Sequence, residues 1–325
     1  MKKLLLLLSL SFTATVCFAQ LRWQNLDSAY GSLPSSVHVF YTEQAIDTAP
    51  FRAFYLIADL KDKHLDFTTD TTLSRRLTPA KFYEKNNSPL VVVNGTFFSF
   101  ETNRNLNAVI KEGKLVSYNV HDVGGRGKDT LTYRHPFTSA IGIDRKGHAD
   151  VAWLFADSTE KNAYAMQSPQ DAIKDSAKHH DLEFYTQAMS IVSHSASSPS
   201  LKKWKVTTAI GGGPSLIGNG QVRITNNEEM KFAGKAITDK HPRTAMGYTA
   251  DDKLIILVVE GRNKVAHGAM LEQEAQILKD LGCVEALNLD GGGSSCLLVN
   301  GKETIKVADA TGQRPVPAVF LIKRK

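Results

Sequence analysis

The chain has 325 residues, of which 42% are hydrophobic and 22% charged, with a formal net charge of +6. That is the composition of an ordinary globular protein, with enough apolar material for a sizeable core, and it excludes a disordered or low-complexity chain. The positive excess is diffuse, its longest basic run being Lys323-Arg324-Lys325, so it mildly favours anionic ligands and gives no indication of nucleic acid.

The N-terminus reads Met1-Lys2-Lys3, then an apolar run Leu4–Leu10, then small residues ending Cys17-Phe18-Ala19. This is the layout of a secretory signal peptide over residues 1–19, cut after Ala19. Its apolar run is too short to span a bilayer, which takes about 20 residues, and the bulky Val16 before Cys17 argues against a lipoprotein. No later segment is long and apolar enough to span a membrane. The expectation is an exported protein, secreted or periplasmic, that is not integral to a membrane.

Apolar runs bounded by Gly, Pro, Asn or Asp then predict strands along the chain. Residues 20–88 hold two, Ser36–Tyr41 and Arg52–Asp59, followed by a short helix near Thr78–Asn86 that opens with Pro79. Pro89–Val93, Ser139–Ile143, Lys205–Ile210, Thr244–Thr249, Leu254–Val259 and Val316–Ile322 continue the strand pattern. Leu254–Val259 is apolar without alternation, which suits a central strand buried on both faces. A weaker helical stretch, interrupted by Pro169, is expected over Lys161–His180. The clearest helix runs from about Gly268 to Leu281, with Leu271, Ala275 and Leu278 on one face and Gly282 as its stop. Residues 144–203 are polar and irregular, with a Ser-rich patch at Ser190–Ser200, and read as an insertion or lid. Many strands with a few helices in no regular alternation point to an α+β fold with mixed β-sheets and a few packed helices. Removal of the signal leaves Cys283 and Cys296, read as two buried free thiols, and no Cys/His spacing resembles a zinc site.

Five segments share one grammar, an apolar strand followed by a polar or Gly-rich end. Val91-Val92-Val93-Asn94-Gly95-Thr96 could be a hairpin turn or part of a site. Ile210-Gly211-Gly212-Gly213-Pro214 is unusual for a plain turn. His241-Pro242-Arg243-Thr244 places an arginine where a strand begins, able to clamp a phosphate or form a surface ion pair. Glu260-Gly261-Arg262 follows a buried strand, as either a site pair or an internal ion pair. In Asn288-Leu289-Asp290-Gly291-Gly292-Gly293-Ser294-Ser295, a carboxylate precedes a turn whose N–H groups could cradle an anion. Together these give two carboxylates, two arginines, an Asn and three Gly-rich turns at strand ends, the parts of a phosphate-holding cleft.

In this order the motifs resemble those of the phosphodiester glycosidase family, over residues 89–325 with the insertion at about 144–203. The resemblance implies a single α+β domain and hydrolysis of a sugar-1-phosphodiester, α-N-acetylglucosamine-1-phosphodiester among the candidates, in a glycan or cell-envelope polymer. Glu260-Gly261-Arg262 departs from the Asp-Gly-Arg more usual in the family. Glycosidic cleavage through an oxocarbenium-like transition state usually takes two carboxylates, here Asp290 and Glu260. The resulting assignment gives the anomeric carbon to Asp290, with Glu260 as second carboxylate. Arg243, Thr244, Arg262, Gly212, Gly213, Gly291, Gly292, Gly293 and Ser294 hold the phosphodiester, and Asn94 with Gly95 orients a sugar hydroxyl. No cofactor is required, although a divalent cation is possible. The expected partner is a carbohydrate phosphodiester. Two other readings stay open: a non-catalytic module binding anionic glycans, and a metal-dependent phosphodiesterase.

Overall fold

In the computed structural model, residues 20–191 and 200–325 are described, so the signal segment and most of the Ser-rich patch lie outside the described residues. Three large sheets and one small one carry the fold. The eight-stranded sheet runs in the order Gln24–Asn25, Val37–Thr42, Ala53–Asp59, Lys253–Val259, Arg243–Thr249, Cys283–Asn288, Ser215–Gly218, Gln221–Val222. At the centre of the seven-stranded sheet lie Ala149–Phe155, Thr138–Ile143 and Thr208–Gly211; at the centre of the five-stranded sheet lie Leu297–Val299, Val91–Asn94 and Ala318–Arg324. Every named strand pairing is antiparallel, a more uniform arrangement than the mixed sheets expected, within the α+β architecture of sheets with few helices.

The apolar run at Lys253–Val259 is central because both its faces are covered. Leu254, Ile256 and Val258 enter one core together with Val93, Val109, Ile141, Ile210 and Phe320 from the other two large sheets. Ile255, Leu257 and Val259 enter a second core against the Leu271–Asp280 helix. Burial of a side chain of this size is worth roughly 1.5–3 kcal/mol, so period-2 alternation gives way when both faces are paid in apolar contacts. The helix inserts Leu271, Ala275, Ile277 and Leu278 into that second core and ends at Gly282, whose φ of 86° a residue with a Cβ adopts only under strain. Thr78 caps the Pro79–Lys85 helix by accepting from the Lys81 amide.

One sequence expectation gives way. Lys161–His180 is not helical: it contributes the strands Tyr164–Met166 and Ile173–Asp175, and the helix comes later, at Leu182–Ile191. Pro169 breaks the stretch, and cross-strand partners outweigh its weak helical pattern: Tyr164–Met166 adds to Ala149–Phe155, and Ile173–Asp175 pairs with Tyr133–His135. The segment 144–203, read as an insertion, supplies three strands to the seven-stranded sheet, including Ala149–Phe155 in continuous register with Thr138–Ile143. Cys283 and Cys296 are buried free thiols, as the sequence suggests, and they pack in different apolar cores.

Candidate active site

The pairing Arg243↔Val259 and Ala245↔Asn288 brings the ends of three adjacent strands to one edge of the eight-stranded sheet. Arg243, Glu260 and Asp290 therefore leave the sheet at the same edge. Asp290 sits on the seam with the five-stranded sheet. Its amide donates to the Gly95 carbonyl at 2.9 Å, and its own carbonyl accepts from Asn94 Nδ2 at 2.6 Å. Asn94 is fully buried, and its Oδ1 accepts from Thr244 Oγ1 and from the Cys296 amide, both at 3.0 Å. Thr244 Oγ1 is also 3.1 Å from Ser295 Oγ. Asn94 and Thr244 thus hold the Asp290 turn from within the protein.

The Asp290 side chain is only partly buried, yet burial pushes its carboxyl up to about 7, against the opposing pull of Ser294 and the Arg314 and Lys231 charges. Ser294 Oγ, buried and without a well-aligned partner, sits beside it. Lys231 makes no ion pair among the described residues; its Nζ lies 4.9 Å from the centre of the Phe97 ring, and burial brings its amine down to about 8. Arg314 is held in a two-pronged ion pair with Asp309, at 2.7 and 2.8 Å. A Cβ on Gly293 would collide with both partners of that pair, so only glycine lets them approach the turn. Arg262 is exposed, 3.3 Å from His241 Nδ1, and its guanidinium lies against Gly292. Lys231 and the Asp309-paired Arg314 thus act on Asp290 as positive charges, and Arg262 lies farther along the same turn, at Gly292.

The remaining predicted residues are placed differently. Arg243 is buried, with Nε donating to the Ala269 carbonyl at 3.0 Å, and its guanidinium lies near Glu274. Glu274 on the Leu271–Asp280 helix is fully buried with neither carboxylate oxygen hydrogen-bonded, and burial pushes it up to about 8. Glu260 is buried and spends its oxygens on Asn263 Nδ2 and the Lys306 amide, both at 3.0 Å, with Arg52 at 3.8 Å. The N–H groups of Gly212, Gly213 and Gly292 donate to the carbonyls of Ser139, Asn288 and Pro242 and so do not face an anion. The Gly291 N–H donates to the Asp290 side chain. Gly212 and Gly291 are instead needed for close packing, because a Cβ would press on the carbonyls of Asn288 and Pro242.

Sequence reasoning missed Lys231, Arg314 and Asp309, each a lone charge in a polar loop with no local pattern to mark it. It also missed Glu229, two residues before Lys231. That buried carboxylate accepts from the Ser139 amide and hydroxyl, Trp153 Nε1, the Ser215 amide and Thr225 Oγ1. It ties the Gly211–Pro214 turn to two sheets and fixes where Lys231 begins. Among the described residues, the group with metal-competent donors close together is His135, Asp175 and His180, which contains neither Asp290 nor Glu260.

The sequence profile of the phosphodiester glycosidase family matches residues 154–323. An uncharacterised SPbeta prophage-derived protein, YomE, of Bacillus subtilis is 39% identical over 70 residues, 22% of this chain and 11% of that one. The N-acetylglucosamine-1-phosphodiester α-N-acetylglucosaminidase of Mus musculus is 31% identical over 94 residues, 26% of this chain and 18% of the enzyme. The matched stretches thus span less than a fifth of these curated relatives' own length. Among solved structures, the catalytic domain of the zebrafish enzyme of that name, auto-inhibited by its pro-peptide, superposes with a TM-score of 0.59 at 19% identity. That superposition covers 94% of this chain and 89% of the domain. A hypothetical protein from Synechocystis superposes equally well, at 0.59 and 16% identity, covering 94% of this chain and 68% of the other.

Proposed function

The chain belongs to the phosphodiester glycosidase family, and from that premise we propose that it is an exported hydrolase that releases a sugar from a sugar-1-phosphodiester at Asp290. The observation that carries this reading is the setting of Asp290: a partly exposed residue whose carboxyl is pushed up to about 7 by burial, with the charges of Arg314 and Lys231 acting on it and Arg262 against the following turn at Gly292. In the reaction the anomeric C–O bond breaks, water supplies the new oxygen on the sugar, and the phosphate departs as a monoester. That leaving group is already a weak base, so charge stabilisation matters more than a strong general acid. Preorganised donors aimed at developing charge are worth roughly 3–4 kcal/mol each. We assign the phosphate to Lys231, whose charge acts on Asp290, and to Arg262, against Gly292, neither in an ion pair among the described residues.

Glu260 is reassigned from second carboxylate to a support. Its bonds to Asn263 and Lys306 tie together the segments that carry those two residues. Asn94 likewise positions the Asp290 backbone in place of orienting a sugar hydroxyl. A glycan phosphodiester fits the basic ring, the identity of the sugar being a matter for substrate screening. Purified Asp290→Asn, assayed on synthetic sugar-1-phosphodiesters, should lose at least about 100-fold in kcat/KM, in line with removal of an acid–base or nucleophilic group. Near-wild-type turnover would take Asp290 out of the chemistry, and binding by wild-type protein without sugar release would favour a non-catalytic module.

A further inference from the structure

The mechanism leaves one group of titratable side chains unused. On the small three-stranded sheet, His135 ends the strand Tyr133–His135, and Asp175 ends the antiparallel strand Ile173–Asp175 beside it. His180 lies in the turn leading to the Leu182–Ile191 helix. His135 is fully buried. Its Nδ1 is 2.9 Å from Asp122 Oδ1, and since a carboxylate only accepts, Nδ1 carries the proton. Its Nε2 is buried without a hydrogen bond and points at Asp175 Oδ1, 3.5 Å away. An orphaned buried imidazole nitrogen costs stability unless something fills the gap. His180 presents Nε2 to the other Asp175 oxygen at 2.7 Å, its ring locked by stacking on Phe184 at 3.5 Å and 7°. The three donor atoms all lie within 4.8 Å of one another.

We propose that His135 Nε2, His180 Nε2 and Asp175 form a structural site for a zinc-class divalent metal ion. Two imidazoles and one carboxylate are borderline ligands that suit zinc and its transition-metal neighbours, whereas calcium and magnesium take all-oxygen shells. Tetrahedral bonds of about 2.0–2.1 Å place donors roughly 3.3 Å apart, close to the 3.5 Å already present between His135 and Asp175. Asp122 supplies the outer carboxylate that orients a metal-bound histidine, and its second oxygen is bonded by His179 Nδ1 at 2.9 Å. A fourth position is left for water. The ion would pin the small sheet to the helix, whose Tyr185 and Met189 pack with Phe137, Trp153, Phe155 and Met166. Nothing in this site touches Asp290, so it stands whether or not the glycosidase reading does. Its ligands are spread over more than forty residues, which is why no short-spacing motif marks it in the sequence.

The whole protein, stripped with EDTA and dialysed, should take up one equivalent of zinc in a calorimetric titration. It should show the visible bands of tetrahedral cobalt when Co²⁺ is used, and its Tm should rise by several degrees with zinc and not with magnesium. His180→Gln and Asp175→Asn, both at partly exposed positions, should lose that equivalent. His148→Ala, which removes a solvent-facing His–Asp144 pair elsewhere, should keep it. Absence of saturable zinc binding by the wild-type chain overturns the proposal even if the variants fail to fold, and so does wild-type binding by folded His180→Gln.

Discussion

Burial pushes the Asp290 carboxyl up to about 7, opposed first by Ser294 and Arg314 and then by Lys231, and brings the Lys231 amine down to about 8, opposed first by Glu229 and then by Asp290. A mechanism that needs the Asp290 carboxylate and the Lys231 ammonium together has its active form between those values. The kcat/KM profile should therefore be bell-shaped with limbs near pH 7 and pH 8, belonging to the coupled pair. Lys231→Met should abolish the alkaline limb and move the acidic one upward, because the carboxylate loses a stabilising cation; an unchanged profile would remove Lys231 from the site. The same shift acts on stability. The folded-state value lies above the ordinary 3.8, so the fold favours the protonated form, and stability present below 3.8 is lost as pH rises toward 7. Asp290→Asn should accordingly have a higher Tm than wild type at pH 8, with the difference shrinking toward pH 4. Asp290 was legible in the sequence because a carboxylate followed by three glycines and two serines is locally unusual. Lys231 and Arg314 were not, because only folding brings isolated loop cations to that carboxylate.

The short helix Asn226–Glu229 is the element that leads into Lys231. It is too brief to be stable by itself, and it is kept in place by the five hydrogen bonds that converge on Glu229. Those donors come from the Thr138–Ile143 and Ala149–Phe155 strands, from Ser215 and from the helix's own cap residue Thr225. Glu229→Ala leaves several buried donors without an acceptor, and should cost at least about 3 kcal/mol in urea denaturation. It should also weaken phosphodiester binding, since Lys231 lies two residues on. A loss below about 1 kcal/mol would show the clamp to be dispensable. The strands expected by name were matched to within three residues, because apolar runs bounded by turn formers reflect burial directly, whereas Leu65–Thr71 and Ala149–Phe155 were not among them. Residues 161–180 were not matched either, since their short strands are held by cross-strand partners outside the segment, Tyr164–Met166 between Ala149–Phe155 and Lys202–Lys203 and Ile173–Asp175 against Tyr133–His135.

Across the whole molecule, one core is shared by three sheets: Leu56 and Ile256 from the first, Val109 and Ile210 from the second, Val91 and Phe320 from the third. No sheet can open without exposing apolar surface on the others, so the chain should unfold as one unit. Far-UV and near-UV circular dichroism should give coincident denaturant transitions, and separated midpoints would mean that the sheets are independent. What the amino-acid order determined by itself was the most apolar strands, the Leu271–Asp280 helix and the strand-end turns, because these follow from burial periodicity and from glycine's freedom in short range. What only the tertiary structure decided was which charges meet. Arg243, Glu260 and Asn94 turn inward to satisfy buried partners, while Lys231 and Arg314 come close enough to act on Asp290 and Arg262 lies against Gly292. Side-chain direction at a strand end depends on the layer packed against it, and that layer is assembled from segments far apart in the chain.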